Sequence, residues 1–219
     1  MIAFDAFTDG GAVAPGSSPL TWSHPCTGSN RALFVPITGE VTAITGVTYN
    51  GVALTKLITT DFNGSLGYLE VWGLLNPASG ANNVSVAWTG SKYLGASAAS
   101  YNGVAQFGLP DASNYTDIAG VSSSDITTSV TTTAAITWIF SATYANIVDP
   151  TAGTNQTARG TTATRGTLLG DTNANQTPAG SYSMTSDVSP NVSDMLQAII
   201  SFADVSQPGG GAFLYNFVK

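Results

Sequence analysis

The chain is nearly uncharged. Lys, Arg, Asp and Glu make up 9% of its 219 residues, against roughly a quarter in an average soluble domain. It also has one histidine, one cysteine and only two glutamates. Each scarcity excludes something. His24 is the only imidazole available to a Ser-His-Asp arrangement, and no Gly-x-Ser-x-Gly elbow surrounds a serine. Cys26 is alone, so it closes no disulfide within the chain. Paired with His24 it gives two ligands where zinc takes four. The six bases (Arg31, Lys56, Lys92, Arg159, Arg165 and Lys219) are scattered, and the net charge is −7. Neither a nucleic-acid backbone nor an anionic membrane surface has a basic stripe to meet. No apolar run approaches the ~20 residues of a membrane-spanning helix. The start, Met1-Ile2-Ala3-Phe4-Asp5, lacks the basic and apolar regions of a signal peptide.

Strong helix formers are rare, and what remains is Thr, Ser, Ala, Gly, Asn and Val. Short runs with alternating or β-branched residues recur between Gly, Pro, Asn and Asp, which is strand chemistry. Ala32–Thr38 is almost continuously apolar and reads as a buried central strand. Asn50-Gly51 suits a type I′ turn between paired strands, and Asn76-Pro77-Ala78-Ser79-Gly80 is a second turn. Asn82–Thr89 alternates Val84, Val86 and Trp88 inward with Asn83, Ser85 and Ala87 outward. Ala135–Thr143 places Trp138 in the apolar phase. A dozen or so such strands in one domain, residues 1–206, predict an all-β protein, an antiparallel two-sheet β-sandwich. Stretches 107–124, 146–166 and 187–194 read as loops, with 157–164 a candidate edge strand. Tyr49-Asn50-Gly51-Val52-Ala53 and Tyr101-Asn102-Gly103-Val104-Ala105 share all five residues. They read as two hairpin turns, and nothing else aligns between the halves to indicate a repeat fold.

Candidate chemistry is thin. Glu70, between Tyr68 and Trp72 on one strand face, is either a lone outward charge or part of a sugar-binding strand. Its use as a catalytic acid would need a partner at carboxylate-pair spacing. Asp111, Asn114 and Asp117, and Asp187, Asn191 and Asp194, are oxygen-bearing groups in predicted loops that match no EF-hand pattern. His24 and Cys26 read as buried structural groups. Tyr93, Tyr115 and Tyr144 near loops, with Trp72, are the candidates for stacking on a glycan ring. No phosphate loop or dinucleotide fingerprint is present, and no cofactor is expected.

The tail 207–219 is distinct: Pro208 and Gly209–Gly211 form a hinge, and an apolar aromatic segment follows. It is either a closing strand or an arm that docks on another subunit. Phe213, Leu214, Tyr215 and Phe217, with Phe4 and Phe7 of the first strand, are the candidate anchoring and oligomer contacts.

Five segments together resemble a known module: Asn30–Val35, Val47–Thr55, Val71–Pro77, Val84–Trp88 and Ala99–Val104. Their strand-and-turn pattern resembles the jelly-roll module of bacteriophage structural proteins, which include head-decoration proteins, head fibres and tail adhesins. The resemblance covers roughly residues 20–145 and continues more loosely to about 205. It carries no catalytic residues. It implies a jelly-roll sandwich and a non-enzymatic virion component, made in the host cytoplasm and working in the released particle. Its partners would be capsid or tail proteins of the same particle and further copies of itself, a trimer among them. The alternative is a carbohydrate-binding module or adhesin.

Overall fold

The computed structural model describes residues 1–13, 17–40, 43–61, 68–90, 93–162 and 167–207. The strands are β1 (Ala3–Val13), β2 (Leu20–Cys26), β3 (Ala32–Gly39), β4 (Ala43–Tyr49), β5 (Val52–Ala53), β6 (Thr55–Asp61), β7 (Tyr68–Leu75) and β8 (Gly80–Thr89). They continue with β9 (Leu94–Asn102), β10 (Ala112–Thr131), β11 (Thr137–Ala145), β12 (Thr151–Ala152), β13 (Thr157–Thr162), β14 (Thr167–Asp171) and β15 (Ser181–Ala203). All named pairings are antiparallel.

The antiparallel β-sandwich predicted from composition is present, but it is deeper than two sheets. Three hydrogen-bonded sheets stack. The orders are β1-β9-β3-β7-β6, then β10-β15-β11-β14-β13 with β12 attached to β15, and then β2-β8-β4-β5. The first of these lies in the middle and is covered on both faces. That is why all eight residues of β3 are buried and why its run is apolar in both phases. Ala32 and Phe34 face β11, β14 and β15, whereas Leu33, Val35 and Ile37 face β2, β4 and β8. On β8, Val84, Val86 and Trp88 point inward as the alternation requires.

The extra depth comes from β10 and β15. Both were expected to be interrupted by loops, at 107–124 and 187–194, yet they run 20 and 23 residues. They pair along their length, with register shifts between Ala119 and Asp125. At that point the two-stranded ribbon doubles over. Its far half lies across the outer face of its own sheet, where Val130 and Met184 meet Ile139 and Ile199, and Ile126 and Val188 meet Ala145 and Met195. At the bend, residues 119–124 bury neither face, so no alternation marks the strand there.

The molecule is therefore four layers, and the layers are two copies of one unit. The order β1-β9-β3-β7-β6 recurs as β10-β15-β11-β14-β13, and β2-β8-β4 recurs as the far half of the ribbon with β12. The registers agree. Ala6 opposes Ser100 as Ala112 opposes Ser201, and Pro25 opposes Ala81 as Thr131 opposes Ser181. Leu33 opposes Ser100 as Ile139 opposes Ser201. A bulge falls at Leu57 between the Lys56 and Ile58 pairings, and again at Arg159 between those of Ala158 and Gly160. Asn50 and Asn155 both take positive φ at the matching turn. The inner five-stranded sheets meet face to face in one shared core. Phe34 stacks on its own counterpart Phe140, with ring centroids 5.2 Å apart and an interplanar angle of 14°. Tyr101 lies 5.1 Å from its counterpart Phe202.

The repeat thus exists, but it does not join the two identical pentapeptides. Asn50 and Gly51 both have positive φ and close the predicted type I′ turn between β4 and β5. At the second site only Gly103 does, and that segment continues into pairing with Asp204 and Val205 instead of forming a hairpin. Its structural counterpart is 202–206. A Cβ on Gly103 would collide with the Met1 carbonyl, which accounts for glycine there.

Candidate functional site

Two carboxylates hold equivalent corners of the repeats. Asp5 Oδ2 accepts the Thr27 N–H at 2.7 Å and the Ser100 hydroxyl at 2.8 Å, and Oδ1 accepts the Thr27 hydroxyl. Asp111 Oδ2 accepts the Thr133 N–H at 3.0 Å and the Ser201 hydroxyl at 2.9 Å. Its Oδ1 accepts the Ala134 N–H at 2.8 Å and the Thr133 hydroxyl. In each clamp the Asp and Thr are separated by 22 residues. Burial raises both carboxyl pKa values, but the donated hydrogen bonds outweigh it, and both are held below the ordinary aspartate value.

The buried acids are engaged in the same way. Glu70 is not an outward charge: it is buried, 2.6 Å from Lys56 Nζ, and accepts the Trp72 indole N–H at 2.8 Å. The Lys56 ammonium also lies 5.3 Å from the Trp72 ring centroid. Asp171 takes a two-pronged contact from Arg159, at 2.6 and 2.9 Å, and the Tyr101 hydroxyl at 2.9 Å. Asp194 accepts the Gly120 N–H at 3.3 Å and the Ser193 hydroxyl at 2.9 Å. Asp204 accepts the Ser206 N–H at 2.9 Å. His24 is fully buried. Burial presses its pKa down to about 4, only partly opposed by Asp5. The Trp22 indole N–H donates to Thr8 Oγ1 at 3.0 Å, and that hydroxyl in turn lies 2.7 Å from His24 Nδ1. Cys26 is a buried free thiol whose pKa burial pushes up. Of the loop acids considered as oxygen clusters, Asp111 belongs to its clamp, and Asn114 donates to the Ser129 carbonyl at 2.8 Å.

The residues proposed for recognition are dispersed. Tyr93, just before β9, and Tyr115, on β10, are exposed, 49% and 46%. Trp72 is half-buried against Glu70. Tyr144 is not a surface residue: it shares the phase of Trp138, Phe140 and Ala142 and is buried in the shared core. That phase was visible in the sequence. Phe4 and Phe7 are half-buried and pack inside the chain. Phe4 lies edge-on to Tyr101 at 5.7 Å, and Phe7 fills the space beside Gly160. Phe213, Leu214, Tyr215 and Phe217, with the rest of 208–219, lie outside the described residues.

What the fold does present is two outer faces at opposite ends of the stack. One carries Thr21, Ser23, Thr48, Asn83 and Ser85, and includes a shallow depression of about 470 Å3 reaching Asn50 and Asn82. The other carries Thr127, Ser129, Thr131, Ser183, Thr185 and Thr151. Even a surface hydroxyl pair is shared: Thr21–Ser85 at 3.3 Å matches Thr127–Thr185 at 2.8 Å. The first face offers hydrogen bonds without charge, whereas the second adds the carboxylates of Asp125 and Asp187, which oppose each other in the same outward phase. The Arg159–Asp171–Tyr101 group was missed by sequence reasoning, because Arg159 and Asp171 meet across the β13–β14 pairing and Tyr101 reaches them from the other repeat. No family model, no curated protein and no solved structure matches the chain.

Proposed function

We propose that the protein is a non-enzymatic structural component of a bacteriophage particle, a capsid decoration or head-fibre protein built from two jelly-roll modules. The jelly-roll reading is supported by strand order: β1-β9-β3-β7 faces β2-β8-β4-β5, the interleaving a rolled-up hairpin produces. The observation that carries the functional reading is where polarity sits. The buried carboxylates Glu70, Asp171, Asp194 and Asp204 are all engaged in holding the chain, while the outer faces display chiefly hydroxyls and amides in register, with Asp125 and Asp187 as the charged pair on one of them. A rigid block of this kind meets neighbours through neutral hydrogen bonds, which salt screens little. The particle's own capsid or tail proteins and further copies of this chain are the partners this reading names.

Mass spectrometry of purified particles tests it. The protein should be present in fixed stoichiometry with a capsid or tail protein and should resist a high-salt wash. Its absence from particles, or turnover of a polysaccharide that Glu70→Gln abolishes, would refute the reading.

A further inference from the structure

The residues Tyr-Asn-Gly-Val-Ala stand in the chain twice, at 49–53 and 101–105. Local sequence is thus held constant while the fold around it differs. An asparagine followed by glycine can modify itself. The glycine backbone nitrogen, having lost its proton, attacks the asparagine Cγ. A C–N bond forms, the Cγ–Nδ2 bond breaks, and ammonia leaves with a proton taken up from solvent. Water then opens the resulting succinimide at either carbonyl and gives aspartate or isoaspartate. Glycine favours the step because it has no Cβ to obstruct the approach. The fold decides whether the nitrogen is free, the side-chain amide can turn and water can enter.

The first pair meets all three conditions. Asn50 and Gly51 form the tip of the β4–β5 hairpin, with φ of 49° and 77°. Both are exposed and border the shallow depression on the neutral outer face. The Asn50 N–H is tied to the Asn83 carbonyl at 3.0 Å, but the reacting groups are not tied. Among the described residues, neither the Asn50 side-chain amide nor the Gly51 N–H has a hydrogen-bond partner. A Cβ added at Gly51 would meet nothing within 4 Å. The strand that closes the hairpin, β5, is two exposed residues. Opening the tip therefore separates little buried surface and costs little.

The second pair meets none of them. The Gly103 N–H donates to the Ser29 carbonyl at 3.0 Å, and the Gly103 carbonyl accepts the Val205 N–H at 2.9 Å. The space beside Gly103 is taken by the Met1 carbonyl. The Asn102 side chain packs on Gly28, where an added Cβ would lie 3.1 Å from the Asn102 Cβ and 3.2 Å from its Nδ2. Freeing the Gly103 nitrogen means undoing pairing that joins the two repeats. A third such pair, Asn63-Gly64, lies outside the described residues.

We infer that Asn50 is a site of spontaneous modification, converted by water in the folded protein to aspartate and isoaspartate, whereas Asn102 is protected. The change matters because of where it falls. It puts a carboxylate on the face that carries Thr21, Ser23, Thr48, Asn83 and Ser85. Isoaspartate also lengthens the backbone inside a two-residue turn whose strand register depends on that length. The inference concerns the chain's own chemistry and holds whether or not the virion reading does.

Peptide mapping by tandem mass spectrometry, after the full chain has stood in mildly alkaline buffer, tests it. Cleavage after Lys and Arg places Asn50, Asn63 and Asn102 on separate peptides, 32–56, 57–92 and 93–159. In the folded protein Asn50 should convert about tenfold or more faster than Asn102, the protection that one retained hydrogen bond and the pairing around it supply. Isoaspartate should accompany aspartate at position 50, because only the succinimide gives both. In strong denaturant the two identical pentapeptides should convert at the same rate. Equal rates in the folded protein, an Asn50 that stays intact while the denatured chain converts, or aspartate without isoaspartate would each overturn the inference. A rate difference that persists in denaturant would do so too, since the fold would then not be its cause.

Discussion

The two repeats share a backbone plan but not an interior. Between its inner and outer sheets the first repeat packs Trp22, Val35, Ile37, Val86 and Ala96. At the matching places the second has Thr128, Ser141, Thr143, Ser186 and Gln197, all buried. There the Ser186 hydroxyl lies 2.7 Å from Thr143 Oγ1 and donates to Gln156 Oε1 at 2.9 Å. Gln197 Nε2 donates to Thr143 at 3.2 Å and to Ser186 at 3.0 Å. The same sandwich can thus be closed by dispersion and burial or by a connected hydroxyl-amide network. The network holds only while its members remain partnered. Gln197 Oε1 already lacks a donor. The apolar repeat is the better anchor, and the shared aromatic seam ties the other to it.

The seam is where the comparison should break most visibly. Phe34→Ala and Phe140→Ala should each cost about 3–5 kcal/mol in denaturant unfolding, since both rings are fully buried. Near-equal costs are expected because each ring faces its counterpart. A much smaller cost for Phe140→Ala would show that the second repeat does not depend on the seam.

Acid should separate the repeats next. His24 has Val130 as its counterpart, so only the first repeat carries a buried imidazole. Its folded pKa, about 4, lies below the unfolded value, so the fold favours the neutral ring. That contribution is complete above about pH 6.5 and is lost as the pH falls toward 4, roughly 3 kcal/mol in all. Unfolding midpoints should fall across this window, and His24→Val should flatten the slope. An unchanged slope in the variant would assign the acid sensitivity elsewhere.

Exchanging core residues sharpens the contrast further. Val86→Ser places a hydroxyl among apolar neighbours. Ser186→Val removes the group that links Gln156, Thr143 and Gln197. Each should lower stability by about 2–3 kcal/mol, and combining them should not restore it, because neither new side chain reaches the other's surroundings. A neutral Ser186→Val would mean that the network contributes little beyond filling space.

Much of the sheet structure is legible in the sequence where burial writes a period. The continuous run of β3, the inward phase of Val84, Val86 and Trp88, and the Asn50-Gly51 turn are examples. The duplication is not, because the pairs that define it are mostly unlike in chemistry. Leu20 matches Ile126, but Trp22 matches Thr128, Val35 matches Ser141 and Ala96 matches Gln197. What persists is register, and register appears only when partners across the sheet are known. The folded ribbon is hidden for a related reason: a polar interior leaves Thr and Ser on both phases of β10. The Arg159–Asp171–Tyr101 group likewise joins residues that no local pattern connects.

The smallest effect tests a charged feature that both repeats have kept. Asp5→Asn and Asp111→Asn each retain the shape of the clamp and lose the charge its donors stabilise. Each should cost roughly 1–2 kcal/mol near neutral pH, by equal amounts if the clamps are equivalent. Both carboxyl pKa values are lowered in the fold. Their stabilisation is therefore present above the unfolded aspartate value, near pH 4, and disappears as the pH falls through the lower folded value. The asparagine variants should converge on the parent protein only in that acid range. The His24 loss is nearly complete by then, and Asp204, which burial raises but its Ser206 and N-terminal contacts hold low, titrates alike in every variant, so differences between each asparagine variant and its His24→Val parent below pH 4 report the clamps. A double variant that loses more than the sum of the two would show that the corners, one in each repeat, are coupled through the seam between them.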